Sequence, residues 1–475
     1  MCKNKILSLI LAIILCIPFC VMGVSAEGEV YTVEGKRTVF LASTETVDID
    51  GNTYNTYSTL KSAFAALGTD GGVVTVVGEF TDPTSNGDGT FSDVSGRGHV
   101  LIKGSTSDAV LSFNHTLSFK GGPTTLDNFK LNCTSTKYVY GTGDTVFGEG
   151  FTTGGTIYYN SIVANGSEGK TVFNTGAKFA QLNVAGRGCD VGTSSSATPA
   201  LAELIINNIN LTAPINLGFS NTDQTAYGNV NLFVNGGTFS NKSVSMTHVA
   251  ARPTGKVSVV FNNDMATGFT VNTAYADYVI KSSSGGTVSI SKQADFGGAP
   301  TFLLTPNEGM MPTVDGTAVL ADAEGNYTFT PSVTSSTQTF TVEWISAETP
   351  TSPIFYSIDG VKTGFIKSEG GICEYNGLTV YAFDTFKNAC IANTDKAAIK
   401  LIAVGEISDN LSIPDNWPSL LTITGADENS IWNFNSAIHP WGKLVIENIA
   451  INANDRSFVC DGKPVVFGDG ITGTF

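Results

Sequence analysis

Residues 30–152 of this chain are written a second time at 355–472, and that repetition limits the available folds more than any other feature. Thr38-Val39-Phe40-Leu41 answers to Thr363-Gly364-Phe365-Ile366, and Thr59-Leu60-Lys61-Ser62-Ala63 to Thr385-Phe386-Lys387-Asn388-Ala389. Val77-Gly78-Glu79-Phe80-Thr81-Asp82 answers to Val404-Gly405-Glu406-Ile407-Ser408-Asp409. Val146-Phe147-Gly148-Glu149-Gly150 answers to Val466-Phe467-Gly468-Asp469-Gly470. Long tandem copies build arrays, whereas a single-site enzyme seldom needs them. The second copy stops partway through the module, where the first continues into Gly155-Thr156-Ile157, so more coils are expected after Phe475. The copies also supply a test: a residue that carries chemistry in one should reappear in the other.

Lys3 and Lys5 precede an almost wholly apolar run from Ile6 to Met22, and Val24-Ser25-Ala26 is a small-residue cleavage site. This predicts a signal peptide over residues 1–26, cut between Ala26 and Glu27. Pro18 interrupts the run, which argues against an anchor, and no later stretch is long and apolar enough to span a bilayer. The expectation is a secreted or cell-surface protein with no transmembrane segment once the signal is removed. The net charge is −16, from 26 basic and 42 acidic residues. That opposes nucleic acid as a partner, because phosphate binding needs clustered Lys and Arg.

Only 14% of the chain is charged, while Gly numbers 52 and Asn, Ser and Thr are plentiful. Such a composition supplies positive-φ corners everywhere and predicts an all-β fold of many short strands. Of eight cysteines, Cys2, Cys16 and Cys20 fall in the signal, leaving Cys133, Cys189, Cys373, Cys390 and Cys460. Their odd number and irregular spacing predict small buried side chains rather than a disulfide framework, with Cys390 standing where the first copy has Phe64. One incidental bridge stays open to them in an oxidising compartment.

Residues 30–41 read as one or two strands. Residues 59–67 read as a helix, with Ser58 or Thr59 as cap, Leu60, Ala63, Phe64 and Leu67 at helical spacing, and Gly68 as the stop. Gly71-Gly72 leads into the β-branched run Val73 to Val77. Short strands then recur to about residue 296, among them Val110 to Phe113, Leu204 to Ile206, Val230 to Val234 and Val257 to Phe261. One seven-residue signature appears three times, as Leu126 to Asn132, Ile206 to Thr212 and Ile446 to Asn452. Its central Asn (Asn128, Asn208, Asn448) should sit where one strand bends sharply into the next, since Asn tolerates the left-handed region. Residues 299–345 change character, with alternating strands around Gly turns.

The capping helix, the Gly-Gly-Val-Val opening strand and the repeated Asn corners resemble the right-handed parallel β-helix of pectin-lyase-like proteins, over roughly two-thirds of the mature chain. The chain is similar in this to large β-helix repeat proteins exported to the surface of Gram-positive bacteria. The resemblance implies a signal peptide (1–26), then a first β-helix module over 27–298, with strands at 30–41, a helix at 59–67 and coils at 73–296. A small all-β spacer over 299–345 and a truncated second module over 346–475 follow. A β-sandwich is the structural rival; it calls for regular hairpin turns between evenly spaced strands, and the spacing here is uneven.

Enzymes of that fold cleave acidic polysaccharides, and their motifs are incomplete in this chain. Asn221-Thr222-Asp223 resembles part of a polygalacturonase motif, but the paired aspartates, Gly-His-Gly and Arg-x-Lys do not follow. Asp144-Thr145-Val146-Phe147-Gly148 is similar to a pectinesterase segment without its partners, and Pro464 stands opposite Asp144 in the second copy. Arg252-Pro253 lacks the second Arg of pectate lyases. No cofactor is indicated. The lyases' calcium needs clustered carboxylates, which only stacking of residues a rung apart could provide here. The histidines, His99, His115, His248 and His439, lack metal spacing.

The carboxylate pair singled out is Glu149 and Asp469, either a general acid or calcium ligand, or simply a solvated turn between two glycines. The aromatics are the other lead. Tyr158 and Tyr159 are adjacent, so on a strand they face opposite ways and one can stack on a sugar ring. Tyr138 and Tyr140 face Phe458 and Cys460, which reads as packing. The leading functional expectation is a non-enzymatic adhesive, glycan-contacting or scaffolding array, whose partners are extracellular glycans or host and cell-surface polymers. The alternatives are a polysaccharide lyase or hydrolase with its site on first-module loops, and a domain of a longer enzyme.

Overall fold

The computed structural model describes residues 28–83, 89–90, 98–119, 122–133, 138–163, 166–190, 199–218, 224–226, 228–245, 255–272, 276–293, 298–322, 324–334, 336–346, 352–376, 378–411, 417–460 and 462–474. Ala26 and Glu27, His248, Asn221 to Asp223 and Arg252-Pro253 lie outside them. The fold is all-β, dominated by parallel ladders, and divides into two compact units. The first comprises residues 1–137 and 148–155, the second residues 138–147 and 156–475.

In the first unit, Tyr31–Val33 turns through Glu34-Gly35 and pairs antiparallel with Lys36–Leu41. Both turn residues have positive φ, 52° and 75°, as a two-residue hairpin requires. A parallel ladder starts there. Val39 faces Val74 of Gly72–Val76, Val74 faces Ile102 of Val100–Gly104, and Ile102 faces Leu126 of Thr124–Asp127. All four side chains are fully buried. A second ladder aligns Phe80, Leu111 and Leu131, also buried.

The expected helix forms as α1, Leu60–Leu67, with Thr59 Oγ1 accepting the Ser62 N–H and Gly68 ending it at φ 61°. Its Leu60, Ala63, Phe64 and Leu67 are buried, as the spacing predicted. An unforeseen hairpin, Thr46–Ile49 with Asn52–Tyr57, turns through Asp50-Gly51 at φ 51° and 77°. It covers the sheet at Phe40, on which the Tyr54 ring stacks at 4.3 Å.

The second unit carries its own long ladder. Val146, Val172, Ile205, Phe233, Val260, Ile280 and Phe340 face one another in turn. Asparagines line its corners: the Asn207 amide donates to Asn174, that of Asn235 to Asn207 (2.8 Å) and that of Asn262 to Asn235 (2.7 Å). A second, buried column joins Asn160, Asn183 and Asn216. The interior amides, Asn183, Asn207 and Asn235, both donate and accept, and in the buried column these bonds satisfy polar groups that burial would otherwise penalise.

The spacer strands do more than separate two regions. Gly286–Lys292, expected within the coils that run to 296, instead joins Thr301–Pro306 and Tyr327–Phe329 of the spacer in an antiparallel sheet. Its Val288, Phe302 and Leu304 share one core with Phe233, Val260 and Ile280 of the long ladder. That covering explains why Val257–Phe261 is buried at every residue: both faces of the strand are packed. Gln338–Ser346 continues the ladder, parallel to Tyr278–Ser282 and antiparallel to Met310–Val314. Met310–Val314 turns through Asp315-Gly316 into Thr317–Val319, which lies parallel to Phe355–Ile358. Phe355–Ile358 in turn pairs antiparallel with Val361–Lys367. From Val361–Lys367 the parallel order resumes through Ile399–Val404, Leu421–Gly425, Leu444–Glu447 and Val465–Phe467.

The second copy repeats the first copy's local devices. Helix α2, Phe386–Ala392, is capped by Thr385 accepting from the Asn388 N–H. A hairpin again precedes it, Gly371–Tyr375 with Leu378–Ala382, with Asn376 at φ 49°. Tyr31 Oη accepts the Asn55 N–H at 2.9 Å, and its counterpart Tyr356 Oη accepts that of Tyr381 at 3.1 Å. An ion pair recurs as well: Arg37 with Asp70 at 3.6 Å, and Lys362 with Asp395 at 3.1 Å.

Two of the three expected corner asparagines take the left-handed region, Asn128 at φ 52° and Asn448 at φ 48°. Asn208 does not. Its strand, Ala200–Ile206, ends one residue earlier in the signature, and the Asn207 and Asn208 N–H groups both converge on the Phe173 carbonyl. Asn207 takes the ladder position, and the corner is spread over more residues.

Candidate functional site

Ile157–Val163 separates the two tyrosines as period two requires. Tyr159 points inward and is fully buried, ringed by Phe147, Phe173 and Phe179. Its hydroxyl shares a 2.9 Å hydrogen bond with Thr171 Oγ1, which donates to Ser161 Oγ at 3.2 Å. Burial pushes the phenol up to about 12, against the opposing pull of the Thr171 and Thr145 hydroxyls. Gly141 is required here, since a Cβ on it would lie 2.2 Å from the Tyr159 hydroxyl. Tyr159 is therefore a core residue and is corrected out of the glycan-contact pair.

Tyr158 faces the other way and is half-buried. Its register neighbours are Tyr138 on one side and Gln181 on the other. The Tyr138 and Tyr158 rings stand 5.2 Å apart, and Tyr140 lies 6.1 Å from Tyr138. Tyr138 is 38% exposed. Burial, then the neighbouring Tyr138, raises the Tyr140 phenol above its usual range. Gln181 donates to Asn183 Oδ1 at 2.9 Å. The result is an uncharged aromatic cluster beside the half-buried Gln181, able to offer ring faces and an amide together. Only Tyr158 of this cluster was singled out from the sequence. Tyr138 and Tyr140, read there as packing, join it because their strand pairs in parallel with that of Tyr158.

Glu149 and Asp469 are exposed turn residues. The flanking glycines have a steric cause: a Cβ on Gly150 would lie 2.9 Å from Asn128 Cα, and one on Gly470 would lie 2.3 Å from Asn448 Oδ1. The Phe-Gly-acid-Gly motif is thus the imprint of the asparagine corner after the neighbouring ladder strand. The carboxylates that reappear with a structural task are others. Asp82, 2% exposed, accepts the Leu60 N–H of α1 at 3.1 Å. Asp409 accepts the Lys387 N–H of α2 at 3.0 Å. Their match was visible in the aligned Val-Gly-Glu segments but was not singled out.

Asp144 accepts the Lys170 N–H of the neighbouring strand Glu168–Phe173 at 2.9 Å. His99 shares a hydrogen bond with Thr125, His115 is buried, and His439 is exposed. Among the described residues no group of three His, Cys, Asp or Glu is placed to hold a metal ion, and no helix is long and apolar enough to cross a membrane. Cys373 and Cys390 are buried as expected, while Cys133 is half-buried and Cys460 exposed. Burial, then Asp409, pushes the Cys390 thiol up to about 12.

Two cavities stand out. One of about 720 Å³ opens between the spacer and the second-copy hairpin turn, lined by Thr317, Val319, Phe329 and Asp359 among others. Another of about 350 Å³ is lined by the polar residues Lys387, Ser408, Asp409, Asn410, Asn433 and Asn435. No family model, no curated protein and no solved structure matches the chain.

Proposed function

We propose that this chain is a secreted or cell-surface repeat protein built as a right-handed parallel β-helix, acting in adhesion, glycan contact or surface scaffolding. In this reading residues 1–26 direct export, 27–298 and 346–475 are β-helix modules, and 299–345 joins them. The observation that carries it is what the two copies share. Tyr31 and Tyr356, Arg37–Asp70 and Lys362–Asp395, Thr59 and Thr385, and Asp82 and Asp409 all serve to hold a hairpin and helix onto the sheet. Selection for repeated shape explains such a set; selection for one reaction does not. Surface glycans are the ligand class best suited to the Tyr138–Tyr140–Tyr158 cluster, whose faces are apolar and whose setting is uncharged.

The test is a glycan array probed with the secreted chain, followed by turnover assays on pectins, alginates and glycosaminoglycans with and without calcium. Binding without turnover, reduced about tenfold by Tyr158→Ala through loss of one aromatic contact, is expected. Turnover at ordinary enzyme rates would overturn the reading in favour of a polysaccharide lyase or hydrolase.

A further inference from the structure

We propose that the outer edge of strand Tyr31–Val33 is a docking edge, which receives an extended, uncharged strand of a second polypeptide in parallel register. The second copy shows how such an edge is filled. There Phe355–Ile358, the counterpart of Tyr31–Val33, lies between two neighbours. Val361–Lys367 pairs with it antiparallel, and Thr317–Val319 pairs with it in parallel, Ala318 facing Tyr356. In the first copy the antiparallel pairing is reproduced residue for residue, Tyr31 facing Thr38 as Tyr356 faces Thr363. The parallel neighbour has no equivalent among the described residues.

The hairpin geometry fixes which groups are unpaired. A two-residue turn closes on the hydrogen-bonded pair Val33 and Lys36, so Tyr31 and Val33 direct their N–H and C=O groups at Lys36–Leu41. Thr32, between them, presents its own N–H and C=O to the open side, as Ser357 does to Thr317–Val319. Thr32 is exposed, and so is Val30 at 37%. Natural edge strands are commonly blunted by Lys, Pro or a bulge, and Val30-Tyr31-Thr32-Val33 has none of these. The anchoring is also already rigid, since Tyr31 is tied to the adjacent hairpin through Asn55. Little ordering cost is left for an incoming strand to meet.

The occupant is specified by the same comparison. It is a strand of small and β-branched uncharged residues, like Thr317-Ala318-Val319, arriving from a hairpin that turns as Asp315-Gly316 does. This chain's own strand of that kind is seated on Phe355–Ile358, so the partner is another polypeptide carrying such a hairpin. Recognition is by backbone hydrogen bonds, with side-chain alternation setting the register.

The experiment titrates a labelled peptide of residues 310–320 into the secreted chain, with fluorescence anisotropy and amide hydrogen exchange as readouts. Saturable binding is expected, weakened about tenfold by Thr32→Pro through loss of one backbone hydrogen bond, and unchanged by Ser357→Pro. In the unmodified chain the Thr32 amide should exchange quickly and become protected at saturating peptide, which keeps the test decisive if the proline variant folds poorly. Absence of saturable binding, or a Thr32 amide left unprotected by saturating peptide, would overturn the proposal. Self-association of the peptide-free chain that Thr32→Pro abolishes would overturn the choice of a foreign strand in favour of a second copy.

Discussion

The two helix-capped regions, residues 31–82 and 356–409, are built from the same local instructions and filled differently. In the first, the helix presents Leu60 and Phe64 to the core, and the matching ladder position holds Leu111. In the second, the helix presents Phe386 and the smaller Cys390, and the ladder position holds Trp432, fully buried and 5.2 Å from Phe386. Bulk lost from the helix at Cys390 is matched by bulk gained on the sheet at Trp432. Backbone devices are therefore copied between the regions, while side-chain volume is conserved only as a sum, which is how cores tolerate divergence.

That compensation gives the largest prediction. Trp432→Leu places the first region's residue in the second region's core without its partner, and should cost about 2–4 kcal/mol, the range for a large-to-small core change. It also releases the Asp409 carbonyl, which accepts the Trp432 indole N–H at 2.8 Å. Adding Cys390→Phe should recover part of the loss, a coupling of about 1 kcal/mol or more for residues that share a cavity. Denaturant melts of the two single variants and the double variant measure it. Strict additivity would show that the two side chains do not trade volume.

The next contrast is between Asp82 and Asp409, which do one job at different depths. Asp82 is almost wholly buried, and Asp409 is half-buried. Replacing each by Ala removes a helix-end acceptor. At Asp82 it also strands the Leu60 N–H away from water, so the cost should be about 2–3 kcal/mol, against about 1 kcal/mol at Asp409. Equal losses in thermal melts would mean that depth does not separate them.

The same contrast shows what the sequence made legible. Helix α1 and the corners at Asn128 and Asn448 were readable because their causes are local: a Thr cap, an apolar stripe, a stop glycine, an Asn that accepts positive φ. The hairpins at 46–57 and 371–382 carry local signals too, Asp50-Gly51 and Asn376-Gly377, but a dipeptide turn alone does not say which flanking strands it joins. The spacer's covering of Val260 and Ile280 was present only as an unbroken apolar run at Val257 to Phe261. What buries that run arrives from Val288 and Phe302, and periodicity within a strand says nothing of a distant neighbour. The asparagine columns were invisible for a related reason. Asn174, Asn207, Asn235 and Asn262 are unevenly spaced in sequence and align only once the parallel strands are in register. The aromatic cluster was half-legible: Tyr158 by alternation, Tyr138 only by stacking.

The smallest effect expected separates the two ion pairs. Lys362 and Asp395 are 3.1 Å apart with the lysine 17% exposed, whereas Arg37 and Asp70 are 3.6 Å apart with both partners open to solvent. Partial burial works against ionisation of Asp395. The Ala397 N–H and the Lys362 ammonium outweigh it, so the carboxyl titrates below its usual range. A carboxyl whose folded pKa is depressed contributes stability above its unfolded pKa and loses it as pH falls through the folded value. Half of Asp395 is exposed and solvent screens the pair, which limits the contribution to about 1 kcal/mol or less. Asp395→Asn should therefore lower the melting temperature slightly at neutral pH and leave it unchanged once the pH is below the folded pKa, so the two curves converge on the acid side. Added salt should shrink the neutral-pH gap. Parallel curves that never meet would show that the loss does not come from the charge, since the amide oxygen of Asn can still accept the Ala397 N–H.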